Sequence, residues 1–143
     1  MSFKKIKDQD DLNIAFQLRI NVFVDEQGVP LEDELDEFDV LDGSCDHILV
    51  YYNNQPVGTG RIRIVDKVGK LERICILKDY RKYGLGKIII AGLESIAMEQ
   101  GIKQFKLHGQ TQAEGFYKKL GYEAASEVFM EDGIPHLLMV KAV

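Results

Sequence analysis

The segment from Leu71 to Gly86 restricts this chain more than any other. Leu71-Glu72-Arg73-Ile74-Cys75-Ile76 alternates as a strand, a short connection follows, and Arg81-Lys82-Tyr83-Gly84-Leu85-Gly86 opens a helix. A strand leading through a glycine-rich turn into a helix aims several backbone N–H groups at one point. The helix dipole adds about half a positive charge there. Gly84 and Gly86 let an anion approach the backbone closely, and Arg81, Lys82 and Lys87 add positive charge. Such a turn suits a phosphate or pyrophosphate. Two nucleotide motifs are excluded. A P-loop has Gly five residues before its Gly-Lys pair and Ser or Thr after it, where this chain has Arg81 and Ile88. A dinucleotide-binding fingerprint needs a third small residue three positions after Gly86, and Ile89 stands there.

The remaining pattern places this segment inside one α/β domain spanning residues 1–143. A strand near Phe3–Lys7 precedes a helix from about Asp10, N-capped by Asp8 or Asp10, with Leu12, Ala15, Phe16, Val22 and Phe23 along one face. Ile48–Tyr52, Val57–Val65 and Leu71–Ile76 read as consecutive antiparallel strands. Asn53-Asn54-Gln55-Pro56 and Asp66-Lys67-Val68-Gly69 are the turns between them. A helix follows from Gly84 to Gln100, with Ile89, Leu93, Ile96 and Ala97 as its apolar stripe. Phe105–His108 is a short strand, and Thr111-x-x-Glu114 reads as a capping box opening a helix that Gly121 ends. Strands at about Glu123–Met130 and His136–Lys141 are joined at Asp132-Gly133, a hairpin step.

With 143 residues, 45% hydrophobic and 29% charged, the chain can build a core without disulfides or metals. Its densest apolar run, Leu85–Leu93, is too short to span a bilayer, and Met1-Ser2-Phe3-Lys4-Lys5 does not begin a secretory signal. Cys45 and Cys75 then read as reduced thiols, and the expected location is the cytoplasm. A net charge of -5 disfavours nucleic acid as a partner, and no membrane partner is expected. The charge is uneven. Asp25 to Asp46 holds ten acids and no Lys or Arg, leaving 13 acids against 18 bases elsewhere. The run is either a solvated acidic loop or an acidic lip that draws in a cationic substrate such as an amine. Leu31, Leu35, Phe38 and Leu41 recur at helical spacing, so part of it packs.

An Arg81-x-x-Gly84-x-Gly86 turn after a strand is followed about thirty residues later by Ala113-x-x-Phe116-Tyr117-x-x-Leu120-Gly121-Tyr122. Together these resemble the GNAT superfamily of acyl-CoA-dependent N-acetyltransferases over nearly the whole chain. Val22-Phe23-Val24-Asp25-Glu26-Gln27, Asp36-x-x-Asp39, Asp46-His47 and Gly133-Ile134-Pro135-His136 resemble its ElaA-like branch. Arg19-x-x-Val22-Phe23 with the acidic pair is also similar to acyl-homoserine-lactone synthases, which are longer. The fold this implies is a single mixed, mostly antiparallel sheet of about seven strands flanked by about four helices.

The resemblance implies transfer of acetyl from acetyl-CoA to a primary amine of a small molecule or peptide, by direct attack on the thioester. A non-catalytic acyl-CoA-binding module and a lactone-synthase-like acyltransferase are the alternatives. By the same resemblance Ile74, Cys75 and Ile76 pair with the pantetheine arm, and the amides of Arg81, Lys82, Tyr83, Gly84, Leu85 and Gly86 hold the pyrophosphate. Gln110 stands where many members carry Asn, and Phe116 completes the cofactor side. Tyr117 matches the acid that protonates the leaving thiolate. Glu72, on the strand face shared with Ile74 and Ile76, is a candidate base; His108 and His136 are alternatives with suitable imidazole chemistry. Glu26 borders the acceptor side, and His136 also lies among the candidate acceptor contacts. No ligand spacing among the histidines suggests a metal. Edge strands near the C-terminus are compatible with a homodimer.

Overall fold

The computed structural model describes residues 2–143. β1 (Ser2–Lys5) leads to α1 (Gln9–Arg19), whose first turn is held by Asp8 accepting from the Asp11 amide at 2.8 Å. The helix continues as a wider π-helical stretch, Ile20–Glu26, that ends at Gly28 with φ 78°. A single turn of helix, α2 (Leu31–Glu34), and an irregular loop follow. Then come β2 (Asp46–Tyr52), β3 (Gln55–Val65) and β4 (Val68–Ile76), an antiparallel meander. Both turns of the meander are tighter than the four-residue expectation. Only Asn53-Asn54 and Asp66-Lys67 leave the strands, each pair with both φ angles positive, the twist that suits a two-residue hairpin.

A 3₁₀ stretch (Lys78–Tyr83) leads into α3 (Leu85–Met98), then β5 (Gln104–Gln110), a 3₁₀ turn (Thr111–Ala113) and α4 (Glu114–Lys119). The expected capping box does not form: no side chain caps either start, and the 3₁₀ turn occupies the place of the first helical turn. The strand expected over about Glu123–Met130 is two short pieces, β6 (Glu123–Ala124) and β7 (Phe129–Glu131), both paired with β8 (Ile134–Ala142). Among the described residues the sheet therefore has eight strands, in the order β1-β2-β3-β4-β5-β8-β6 with β7 also on β8, and only β4 and β5 run parallel.

Strand alternation sends side chains to two cores, one on each face. Ile48, Val50, Ile62, Leu71, Phe105, Leu107 and Met139 pack with Leu85, Ile89, Ile90 and Leu93 of α3. On the other face Leu49 and Cys75 pack with Leu12, Ala15, Leu18 and Val22. Leu12 and Leu93 are fully buried, and core residues of this kind cost about 2–5 kcal/mol when cut back to Ala.

Candidate functional site

β4 is the one strand whose regularity breaks where it counts. It pairs with β3 as Arg61↔Glu72 and then Thr59↔Cys75, so Arg73 and Ile74 together oppose Gly60. Arg73 has φ 56°, unusual for a residue with a side chain, and the strand bulges there. On its other edge β4 meets β5 only from Gly69 to Leu71. Beyond Leu71 the two strands separate, and among the described residues no strand pairs with the β5-facing edge of residues 73–76. The gap widens into a cleft of about 600 Å³. Val22, Phe23, Gln27 and Val29 line it on the α1 side, Phe116 and Tyr117 on the α4 side.

The bulge also changes parity. Without it Glu72, Ile74 and Ile76 would share a face, as expected from alternation. Instead Ile74 lies with Ile89 and Leu93 around Gly60, and Ile76 packs near Gly86. Glu72 points to the opposite face, into a group of cations: Arg63 Nε at 2.8 Å, Arg61 Nε and Lys70 Nζ at 3.2 Å. Burial would raise its pKa, but the Arg63 hydrogen bond and the Arg61 and Lys70 charges hold it at about 2. A carboxylate held in its ionised form by three cations is a weak base. This corrects the expectation that Glu72 shares a strand face with Ile74 and Ile76.

The acidic run divides: Asp25, Glu26, Glu32, Asp33, Glu37 and Asp42 are exposed to solvent, whereas Glu34 and Asp39 are buried on arginines. Arg19, inside α1, donates to Glu34 Oε2 at 2.9 Å, the Glu34 carbonyl at 2.7 Å and Asp39 Oδ2 at 3.0 Å. Arg61 donates to both Asp36 oxygens, at 2.8 and 2.7 Å, and to Asp39 at 2.8 Å. Both guanidinium groups are buried. Carboxylates of the run neutralise arginines of α1 and β3, and the Phe38 ring lies against Arg63 at 4.0 Å, whereas Leu31, Leu35 and Leu41, expected to pack, are exposed.

The phosphate-type turn has the backbone its sequence suggests. Gly84 takes φ 72°, α3 starts at Leu85, and an added Cβ on Gly84 would meet open space. At Gly86 a Cβ would lie 3.0 Å from Phe116 Cζ, so the aromatic ring rests on the turn. The side chains divide. Arg81, Gly84 and Gly86 line the cleft with Ile74, Cys75, Ile76, Gln110 and Phe116, whereas Lys82, Tyr83 and Leu85 do not. Leu85 is fully buried in the core, and Tyr83 stacks on Tyr52 at 4.2 Å between ring centroids. The Lys82 side chain is exposed outside the cleft. Cys75 turns its thiol into the α1-side core, where burial pushes it up to about 12.

Glu26 is engaged by the turn before α3. Both its oxygens accept from Arg81 at 2.6 Å, and that hydrogen-bonded pair lowers the Glu26 pKa. The pair ties the end of the π-helical stretch to the turn before α3, and Glu26 is not among the cleft residues. Tyr117 is half-buried in the cleft wall, and burial raises its hydroxyl to about 12. It therefore stays protonated across the neutral range and keeps a proton to give. His108 and His136 both line the cleft, joined through Glu131, a residue the sequence reading did not single out. Gln110 donates to Gln27 at 3.0 Å across it. Among the described residues no group of three His, Cys, Asp or Glu side chains is arranged to hold a metal ion, and no helix is long and apolar enough to cross a membrane.

Residues 17–143 match the family described as acetyltransferase (GNAT) domain. A protein of Bacillus subtilis (strain 168) named as an acetyltransferase is 65% identical over 141 residues, covering 99% of this chain and 96% of the relative. Among solved structures, Escherichia coli ElaA superposes with a TM-score of 0.86 at 27% identity, covering 98% of each chain. An acyl-CoA N-acyltransferase from Pseudomonas aeruginosa gives a TM-score of 0.86 at 25% identity, covering 99% of this chain and all of the other.

Proposed function

The chain belongs to the GNAT acetyltransferase family and is an acyl-CoA-dependent N-acyltransferase, and from that premise we propose that it moves acetyl from acetyl-CoA to a primary amine of a small molecule or peptide. The observation that carries this reading is the split between β4 and β5. It leaves the edge of residues 73–76 unpaired, facing a cleft that also holds Tyr117. Bound there, the donor supplies a thioester whose C–S bond breaks as the amine nitrogen forms a C–N bond.

The residues present fit such a donor. An unpaired strand edge offers backbone donors and acceptors to the amides of a pantetheine arm, at Ile74, Cys75 and Ile76. The amides from Arg81 to Gly86, at the positive end of α3, suit the pyrophosphate. The Arg81 side chain contributes indirectly: held by Glu26 and by the Ile76 carbonyl at 3.0 Å, it braces the turn. Phe116 lies against Gly86 and covers the apolar part of the arm. Negative charge developing on the thioester oxygen meets an unpaired β4 amide. Tyr117, kept protonated by burial, gives its proton to the departing sulfur. The reading includes a cytoplasmic location, consistent with two unpaired, buried cysteines.

A melting titration with acetyl-CoA, free CoA and ATP tests it. A ligand at 100 times its dissociation constant adds about 2.7 kcal/mol, several degrees for a domain of this size. Both CoA species should shift the transition and ATP should not, and thiol release with a primary-amine panel then identifies acceptors. No shift with acetyl-CoA would remove the acetyl donor from this reading.

A further inference from the structure

Four carboxylates line the cleft: Glu34, Glu72, Glu131 and Asp132. Glu34 is held by Arg19, and Glu72 by Arg61, Arg63 and Lys70. Glu131 differs: among the described residues its ion-pair partners are two histidines. Its Oε1 lies 2.9 Å from Nδ1 of His108, and its Oε2 lies 3.6 Å from Nε2 of His136. Nδ1 of His136 contacts the Ile134 carbonyl at 2.7 Å, which fixes that ring. Phe129 touches both, edge-on to His108 at 5.1 Å and stacked on His136 at 6.1 Å between centroids. The register of β5, β7 and β8 brings these residues together, since His136 pairs with Gln110 on one side and Phe129 on the other. His108 also stands on the far face of β5 from Gly109, against which Tyr117 packs. The two groups thus reach the cleft from opposite sides, as an acceptor-side base and a donor-side acid would.

An ionised carboxylate only accepts hydrogen bonds. In the neutral ring facing Glu131, Nδ1 of His108 therefore carries the proton and Nε2 presents its lone pair. From this geometry we infer that His108 is the base of the acyl transfer and that Glu131 is the positioning residue that sets its tautomer. The inference rests on the amine-acceptor reading above and narrows it to alkylamines. These are mostly ammonium ions at neutral pH, with a pKa of about 10.4, and must lose a proton before attack. The ammonium gives one proton to Nε2, and the resulting imidazolium directs one N–H to Glu131. The freed lone pair forms the C–N bond as C–S breaks. Sulfur takes the Tyr117 proton, and the phenolate is restored by the second proton leaving nitrogen, so one proton is released per acetyl moved. His136 on β8, Asp132 in the hairpin turn, Arg73 with Glu34 across the cleft, Glu72 and Arg81 are other charged or titratable groups that line it.

Two measurements test this. Nitrogen-15 NMR of the His108 ring in the full chain needs no acceptor. A neutral Nδ1–H ring in the wild type, altered in Glu131→Gln, is expected; a neutral Nε2–H ring would overturn the inference. Thiol release with acetyl-CoA then compares an alkylamine with an arylamine, which is already neutral at the same pH. His108→Gln should slow the alkylamine about 100-fold and the arylamine by less than about threefold. Glu131→Gln should follow the same pattern at about tenfold, and Glu131→Asp should recover part of it, each with the KM for acetyl-CoA unchanged. Equal losses with both amines would make the pair structural and remove the base role. Failure of acetyl-CoA to shift the melting transition would instead sink the acetyl-donor reading and leave the ring tautomer standing.

Discussion

The ring of Tyr117 lies directly on the backbone of Gly109: a Cβ added at that glycine would come within 2.9 Å of Tyr117 Cε2 and 3.0 Å of Cδ2. The absence of a side chain on β5 therefore positions the group proposed to protonate the leaving sulfur. Gly109→Ala should push the ring aside and lower kcat at least about tenfold, with a smaller change in KM for acetyl-CoA. Overpacking of this kind costs about 1–3 kcal/mol. Steady-state kinetics beside urea melts separates the two effects, and wild-type kcat in Gly109→Ala would show that the contact does not matter to turnover.

Tyr117 itself should set no alkaline limit near neutrality. With its hydroxyl pushed up to about 12 by burial, it remains protonated through the mildly alkaline range. Tyr117→Phe is expected to lower kcat by about 100-fold, while the wild-type rate keeps its alkaline plateau. A wild-type rate that declines just above neutrality would assign the donated proton to another group.

The buried ion network sets a stability prediction. Asp39 accepts from both Arg19 and Arg61, and Asp39→Asn removes the charge both arginines depend on. Breaking a buried network from one side typically costs about 3–5 kcal/mol, readable as a lower urea midpoint with unchanged slope. Acid acts on the same groups. Burial opposes ionisation of Asp39 and Glu72, but their arginine partners hold both pKa values below the ordinary carboxylate range, Glu72 at about 2. For Glu72 the resulting stability is complete above its ordinary value of 4.5 and is lost as pH falls from there through about 2. Glu34, raised by burial, works in the opposite direction and offsets part of that loss. Melts between neutral and strongly acidic pH should show the decline, and Glu72→Gln should flatten it.

Neither cysteine should react in the folded protein. Cys45 and Cys75 are buried, and burial raises both thiols to about 12, leaving little thiolate at neutral pH. A disulfide dye should label them only after denaturant is added, so thiol release by turnover can be followed without background. Rapid labelling of the native chain would mean that the α1-side core around Cys75 or the segment around Cys45 opens readily.

Local chemistry carried much of this structure in plain view. Asp8 at an N-cap, Gly84 before α3 and the Asp132-Gly133 turn each act through neighbouring residues, so spacing alone locates them. The same is true of the paired Arg81–Gly86 and Phe116-Tyr117 signatures, which lie on the two elements that border the cleft. The capping box at Thr111 misled because its spacing is necessary for the bond but does not guarantee the helical backbone that makes it.

What the linear chain determined, then, is most of its elements and its acyltransferase signatures, because period and turn chemistry are short-range. The tertiary structure alone decided which charges meet and which way β4 points. Arg19 finds Glu34 and Asp39, and Arg61 finds Asp36, across separations that no local pattern encodes. One bulged residue, Arg73, reverses the parity of its strand and sends Glu72 away from Ile74. His108, Glu131 and His136 meet only through the pairing of three strands. Ion pairing and strand register are set by the folded chain as a whole, and they place the acceptor side of this site.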